Sequence, residues 1–171
     1  MSVPAFAGGT AAPLFDRDLA PYLLTAFADA HSRIWANMFF ADVRLYEDPN
    51  RVVRDLLDEL AYAAWRGVDV RLVISPTDAE DMEAGNGTTA FYLNGQGVDV
   101  RWFRRDGFRS THSKTVIIDH DLSVIGSCNW TDRGLTRSVE AGLTVNSTDI
   151  ASAMTEDFLR TWDGALPMER G

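Results

Sequence analysis

Cysteine is almost missing from this chain. One residue, Cys128, among 171 excludes an internal disulfide and fits a reducing, cytoplasmic setting. Long apolar runs are missing too: none approaches the ~18 residues that crossing a bilayer requires, so stable membrane insertion is not expected. Histidine is scarce (His31, His112 and His120), and no Cys/His cluster has metal-ligand spacing, so neither a metal nor another cofactor is expected. Positive charge is in short supply. Sixteen Lys and Arg face 25 Asp and Glu, for a net charge of −9, and this counts against an indiscriminate polyanion binder. The Ala/Gly-rich start, Met1 to Ala12, lacks the basic residues of a secretion signal. It predicts a loose tail over 1–13, followed by a single domain over 14–171.

The charge is unevenly spread. Acidic residues gather at Asp55, Asp58 and Glu59 and again at Asp78, Glu80, Asp81 and Glu83. Between 101 and 114 the balance reverses, with Arg101, Arg104, Arg105, Arg109 and Lys114 set against Asp106 alone. A local basic face on an acidic body can hold a polyanion; a solvated loop is the plainer alternative.

Local patterns predict the elements. Asp18 to Ala30 reads as a helix and Arg33 to Ala41 as a buried strand. Asp48-Pro49-Asn50 reads as a turn leading into a helix with the stripe Val53, Leu56, Leu57, Leu60 and Ala64, stopped by Gly67. Val68 to Ile74 reads as a strand, Asp78 to Gly87 as a mobile loop, Thr88 to Leu93 as a short helix, and Val98 to Phe103 as a strand. Gly67-Val-Asp-Val-Arg71 recurs as Gly97-Val-Asp-Val-Arg101, so the order helix, glycine stop, strand is used twice, as in parallel crossovers. Three closely spaced strands over 112–145 suit antiparallel neighbours, and Asp149 to Trp162 closes as a helix. The expected fold class is α/β, a mixed sheet with helices on both faces.

Chemistry concentrates in one stretch. His112 and Lys114 are two apart on a β-branched run and so share a strand face; Ser127 and Asn129 are likewise two apart past a second run. Adjacent strands would bring an imidazole, an ammonium, a hydroxyl and an amide together, a set able to hold a phosphate and attack it.

With Asp119 and Gly126 in place, the stretch resembles the phospholipase D superfamily signature HxK(x)4D(x)6GSxN, without a departure. A single motif in a chain this size is similar to the small Nuc-type and Zucchini-type endonucleases. The resemblance implies a phospholipase D-like fold and a metal-independent phosphodiesterase. In it His112 would form a phosphohistidine, Lys114, Ser127 and Asn129 would hold the phosphate oxygens, and Glu140 would orient the imidazole. It also implies that two motifs build one site, hence a homodimer. Asp119 is expected to support the motif strands or to sit on a surface turn, and Cys128 to pack inward. Trp130 is expected either to pack at the dimer seam or to stack on a substrate. Nucleic acid, single strands favoured, is the expected partner, tracked by Arg101, Arg104, Arg105 and Arg109. The alternatives are a phospholipase D or phosphatidyltransferase acting on phospholipid, and a noncatalytic nucleic-acid-binding dimer module.

Overall fold

A strand that is apolar on both faces must be covered on both. In the computed structural model, which describes residues 8–44, 47 and 49–168, β2 (Arg33–Met38) meets that requirement. Ile34, Ala36 and Met38 enter one buried cluster and Trp35 enters another. The first cluster includes Leu23 and Phe27 of α1 (Leu19–Ala28), Leu56, Leu57 and Leu60 of α2 (Val52–Trp65), and Leu93 of α3 (Glu80–Gly95). The second includes Ala151, Phe158 and Trp162 of α5 (Thr148–Gly164). Helices therefore flank the sheet on both sides.

The sheet has eight strands in the order β1 (Thr10–Phe15), β7 (Ala141–Asn146), β6 (Leu122–Gly126), β5 (Lys114–Ile118), β2, β3 (Asp69–Ile74), β4 (Asp99–Trp102) and β8 (Leu166–Pro167). The β2–β3–β4 pairings are parallel, with α2 and α3 as the crossovers, and the others are antiparallel. This matches the expected mixed sheet. Gly67 and Gly97 both take positive φ (93° and 91°), which explains the repeated glycine stop: each turns the chain from helix to strand through a backbone shape that favours glycine.

The register brings one set of strand ends together. Met38 at the end of β2 pairs with Lys114 at the start of β5. Thr115 pairs with Ile125 near the end of β6, and Gly126 pairs with Gly142 near the start of β7. The segments that follow or precede these ends (Phe39, His112, Ser127 to Asn129, and Glu140) thus converge although they are far apart in sequence.

Several expectations need correction. The tail does not extend to residue 13: Thr10–Phe15 forms an edge strand on β7, where Pro13 is tolerated because one side of an edge needs no ladder donor. Residues 1–7 of that tail, and Asp48 of the expected turn, lie outside the described residues. The stripe of α2 buries Ala63, while Ala64 is only half-buried. Asp78 to Gly87 is not a loop. From Glu80 it belongs to α3, whose first turn carries Glu80, Asp81 and Glu83 where the helix dipole favours negative charge. Glu83 also accepts from the Thr77 N–H at 3.0 Å. The helix was hidden because its buried face, Gly85, Asn86, Thr89, Ala90 and Leu93, mixes small and polar residues with a single large apolar one and has no apolar stripe. A short helix α4 (Asp132–Thr136) and the two-residue β8 were also not anticipated.

Candidate active site

Lys114 opens β5 with its side chain facing the interior, 8% exposed. Its ammonium curls back and donates to the carbonyl oxygen of His112 at 2.8 Å. It also lies 3.2 Å from Nδ1 and 3.3 Å from Nε2 of the same residue. Burial holds this lysine below the ordinary amine range, against the opposing fields of Glu140 and Cys128. His112 itself is exposed at the mouth of the site. Its ring rests on Phe39, centroids 4.5 Å apart, and the Lys114 ammonium sits 4.9 Å from the centre of that same aromatic ring.

Ser127 and Glu140 meet beside this pair. Ser127 Oγ donates to Glu140 Oε2 and accepts from the Ala141 N–H at 3.2 Å. The Ser127 N–H donates to the Ala141 carbonyl at 3.0 Å. Glu140 is tied down by its own N–H, which donates to Asp16 Oδ1 at 3.0 Å. It was expected to orient the imidazole; within this chain its hydrogen bond goes to Ser127 instead, and the imidazole is steadied by Lys114 and Phe39. Asn129 is half-buried, and its Oδ1 is buried without a hydrogen-bond partner, a state that costs about 1–3 kcal/mol and calls for an explanation. Because Oδ1 only accepts, an anionic phosphate oxygen at the site would have to be met by the Nδ2 amine of this amide instead.

Asp119 lies elsewhere. It sits just past the far end of β5, five residues from Lys114, or roughly 16 Å at the rise of an extended strand. Its carboxylate accepts from the backbone N–H of His31, Ser32 and Arg33 and from the Ser32 hydroxyl, at 2.7 to 3.2 Å. It is a staple between β5 and β2, not a member of the site. Cys128 points into the core, as expected, and burial pushes its thiol up to about 12, with Glu140 adding to the effect.

The basic segment divides. Arg101 donates to the Trp162 carbonyl at 3.1 Å and lies over the Trp162 ring at 4.1 Å, so it is spent on packing. Arg105 pairs with Asp157 at 3.6 Å. Arg104 and Arg109 stay exposed. Arg109, with Phe39, Pro76, Thr77, Asp78 and Ser110, lines an open cleft of about 530 Å³, and Phe39 is the ring that also touches His112. Trp130 is 1% exposed and packs edge-on against Phe27, centroids 6.4 Å apart, so it offers no ring to a substrate or a partner. Phe39, expected in the core, is the residue overlooked; its only local signal was its position just after an apolar strand. Among the described residues no group of three or more His, Cys, Asp or Glu could hold a metal ion, and no helix is long and apolar enough to cross a membrane.

An imidazole, a buried ammonium, a hydroxyl and an amide gather at one end of the sheet, and comparison with known proteins bears on what such a set is for. Residues 23–162 match the family described as cardiolipin synthase, PLD-like domain. Cardiolipin synthase A of Edwardsiella ictaluri is 30% identical over 118 residues, covering 67% of this chain and 24% of that protein. The chain thus spans about a quarter of the length of the curated relatives it matches. Among solved structures, Nuc, a phospholipase D family member from Salmonella typhimurium, aligns with a TM-score of 0.79 at 19% identity, over 95% of this chain and 100% of that one. NucT from Helicobacter pylori aligns with a TM-score of 0.70 at 15% identity, over 94% and 100%. By its motif, its fold and a family match that runs over most of its length, this chain belongs to the phospholipase D superfamily.

Proposed function

We propose that this chain is a metal-independent phosphodiesterase that cleaves nucleic acid, single strands by preference, through a phosphohistidine on His112, in a site completed by a second copy of the chain. The observation that carries it is the contact of His112 with the Lys114 ammonium where four strand ends converge. His112 attacks phosphorus and the bond to the leaving oxygen breaks. Lys114 and Asn129 neutralise and hold the nonbridging oxygens as charge builds. The leaving oxygen needs a proton while the attacking imidazole must be neutral, so the second copy's His112 serves as the acid. Water then attacks phosphorus, the N–P bond breaks, and the imidazole is restored.

Two surface features support the details. The sheet face on the α5 side is only partly covered, since α5 packs on β2, β5 and β6. Beyond it Ile125 (40% exposed) and Leu143 (47%) stand side by side, with Pro13 next in register. This apolar strip lies beside Ser127 and suits a two-fold interface. The cleft, with the Arg109 guanidinium, the Thr77 and Ser110 hydroxyls and the Phe39 ring, suits a charged chain carrying bases.

A second reading, cleavage or transfer of a phospholipid headgroup, draws on the cardiolipin synthase relatives and on one surface feature. Trp65, 79% exposed and stacked on Tyr62 at the end of α2, suits a lipid–water boundary. The test is a panel of single- and double-stranded DNA, RNA and phosphatidylglycerol vesicles in excess chelator, with wild type and His112→Ala in parallel. Nucleic-acid cleavage lost in His112→Ala supports the proposal. Cleavage of vesicles alone transfers the chemistry to lipid, binding without cleavage leaves a noncatalytic module, and loss of activity in chelator overturns the metal-free step.

A further inference from the structure

The polar face of α3 has a use that neither the motif nor the cleavage chemistry accounts for. Asn86 is fully buried, and its amide is saturated by loop backbone. Oδ1 accepts from the Ala41 N–H at 2.9 Å, and Nδ2 donates to the carbonyls of Phe39 at 3.0 Å and Ser75 at 2.8 Å. One turn further on, the equally buried Thr89 hydroxyl accepts from the Val43 N–H at 3.2 Å and donates to the Ala41 carbonyl at 2.9 Å. Gly85 lets the helix lie flush on this loop: a Cβ there would come within 2.9 Å of the Asp42 carboxylate and the Phe40 ring.

The loop held in this way, 39–43, lies between α3 and the site. Its other side bonds to the segment next to Asn129, with the Trp130 N–H donating to the Phe40 carbonyl at 3.0 Å and the Asp42 N–H to the Trp130 carbonyl at 2.9 Å. Phe39 at its head is the ring against which His112 and Lys114 rest. Asn86 also grips Ser75, and Ser75 precedes Pro76, so a single amide ties together two of the segments that line the cleft. Buried polar side chains cost stability unless fully bonded, and an irregular loop has no ladder to fix its backbone; here each answers the other.

We propose that Asn86 and Thr89 are positioning residues for the His112 chemistry: they clamp the 39–43 loop so that Phe39 holds the imidazole beside Lys114 at the mouth of the cleft. This rests on His112 being the nucleophile. A displacement of about 1 Å at a reacting group can cost on the order of 10²-fold in rate.

The experiment compares Asn86→Ala, Thr89→Val, Thr89→Ser, Phe39→Leu and Asn86→Ala/Phe39→Leu by hydrolysis of bis-p-nitrophenyl phosphate. The His112 ring-proton NMR resonance, assigned with His112→Ala, is read alongside. Asn86→Ala and Thr89→Val are expected to lower kcat by about 10- to 100-fold with KM changed by less than about 3-fold, and Thr89→Ser to stay within about 2-fold. In the Phe39→Leu background Asn86→Ala is expected to add less than about 3-fold, because the clamp acts through that ring. The His112 resonance should lose its Phe39 ring-current shift in Asn86→Ala, Thr89→Val and Phe39→Leu, and keep it in Thr89→Ser.

Full activity in Asn86→Ala, or an undiminished effect on top of Phe39→Leu, overturns the clamp. If Asn86→Ala does not fold, Thr89→Val against Thr89→Ser decides. A chain in which His112→Ala is as active as wild type refutes the nucleophile and with it any rate role for the clamp. The NMR shift judges the positioning itself even if no hydrolysis is seen, and an unmoved resonance refutes it.

Discussion

The Lys114 ammonium lies almost equidistant from the two ring nitrogens of His112, 3.2 and 3.3 Å away, while it donates to the carbonyl of the same residue at 2.8 Å. One buried cation therefore fixes both the backbone and the ring of the residue proposed to attack phosphorus. Lys114→Ala is expected to lower phosphodiester hydrolysis by about 10²-fold or more, as loss of a preorganised charge does elsewhere.

The same burial gives Lys114 a titration that can be followed directly, because the chain has no other lysine. Isotopic reductive methylation and NMR should show its midpoint below the ordinary value of 10.5. Hydrolysis should decline as pH rises through that midpoint. Between it and 10.5 the unfolded chain binds more protons than the folded one, so stability should rise with pH across that window. A midpoint at or above 10.5 would contradict the buried environment.

Asp119 is expected to matter for stability and not for turnover. Burial alone would raise its pKa, but the bonds from the Ser32 hydroxyl and the N–H groups of Ser32, Arg33 and His31 outweigh it and hold the carboxyl below 3.8. Its stabilising effect is therefore complete above 3.8 and lost as pH falls through the lower folded value. Asp119→Ala should cost about 2 kcal/mol in urea titrations, with a flatter acid limb than wild type, while kcat of the folded protein changes by less than about 3-fold. A large fall in kcat at full stability would return Asp119 to the site.

Cys128 should behave as a core residue. With its thiol pushed up to about 12 and no exposure to speak of, it should resist iodoacetamide at pH 8 and become alkylated only on unfolding. Rapid labelling of the native protein, read by mass spectrometry, would be incompatible with the packing seen beside Ser127 and Asn129.

The partly bare sheet face yields a test of assembly. Leu143→Glu and Ile125→Glu place charge on the apolar strip without touching His112 or Lys114. Each is expected to shift the protein from dimer to monomer in sedimentation and to cut activity by about 10-fold or more, with secondary structure unchanged. A fully active monomer would remove the shared-site mechanism.

Part of this protein could be read from a few residues at a time. Apolar alternation in Arg33 to Met38 and the stripe of α2 announce strand and helix because side-chain direction depends only on local backbone period. The spacing of His112, Lys114, Ser127 and Asn129 pointed to phosphate chemistry for the same reason. Trp130 misled because an aromatic beside a reactive motif looks the same in sequence whether it faces solvent or, as here, Phe27. Arg101 misled because charge says nothing of the partner already taken, here the carbonyl and ring of Trp162.

What the sequence determined by itself is the chemistry at hand and the strand ends that carry it. Tertiary structure alone decided which groups surround that chemistry: the Phe39 ring under His112, the Ser127–Glu140 bond, and the grip of Asn86 on a loop 45 positions away at Ala41. A period of two or 3.6 residues is written into neighbouring side chains. The pairing of a buried amide with a distant backbone arises only when folding excludes water and leaves each polar group to find its partner.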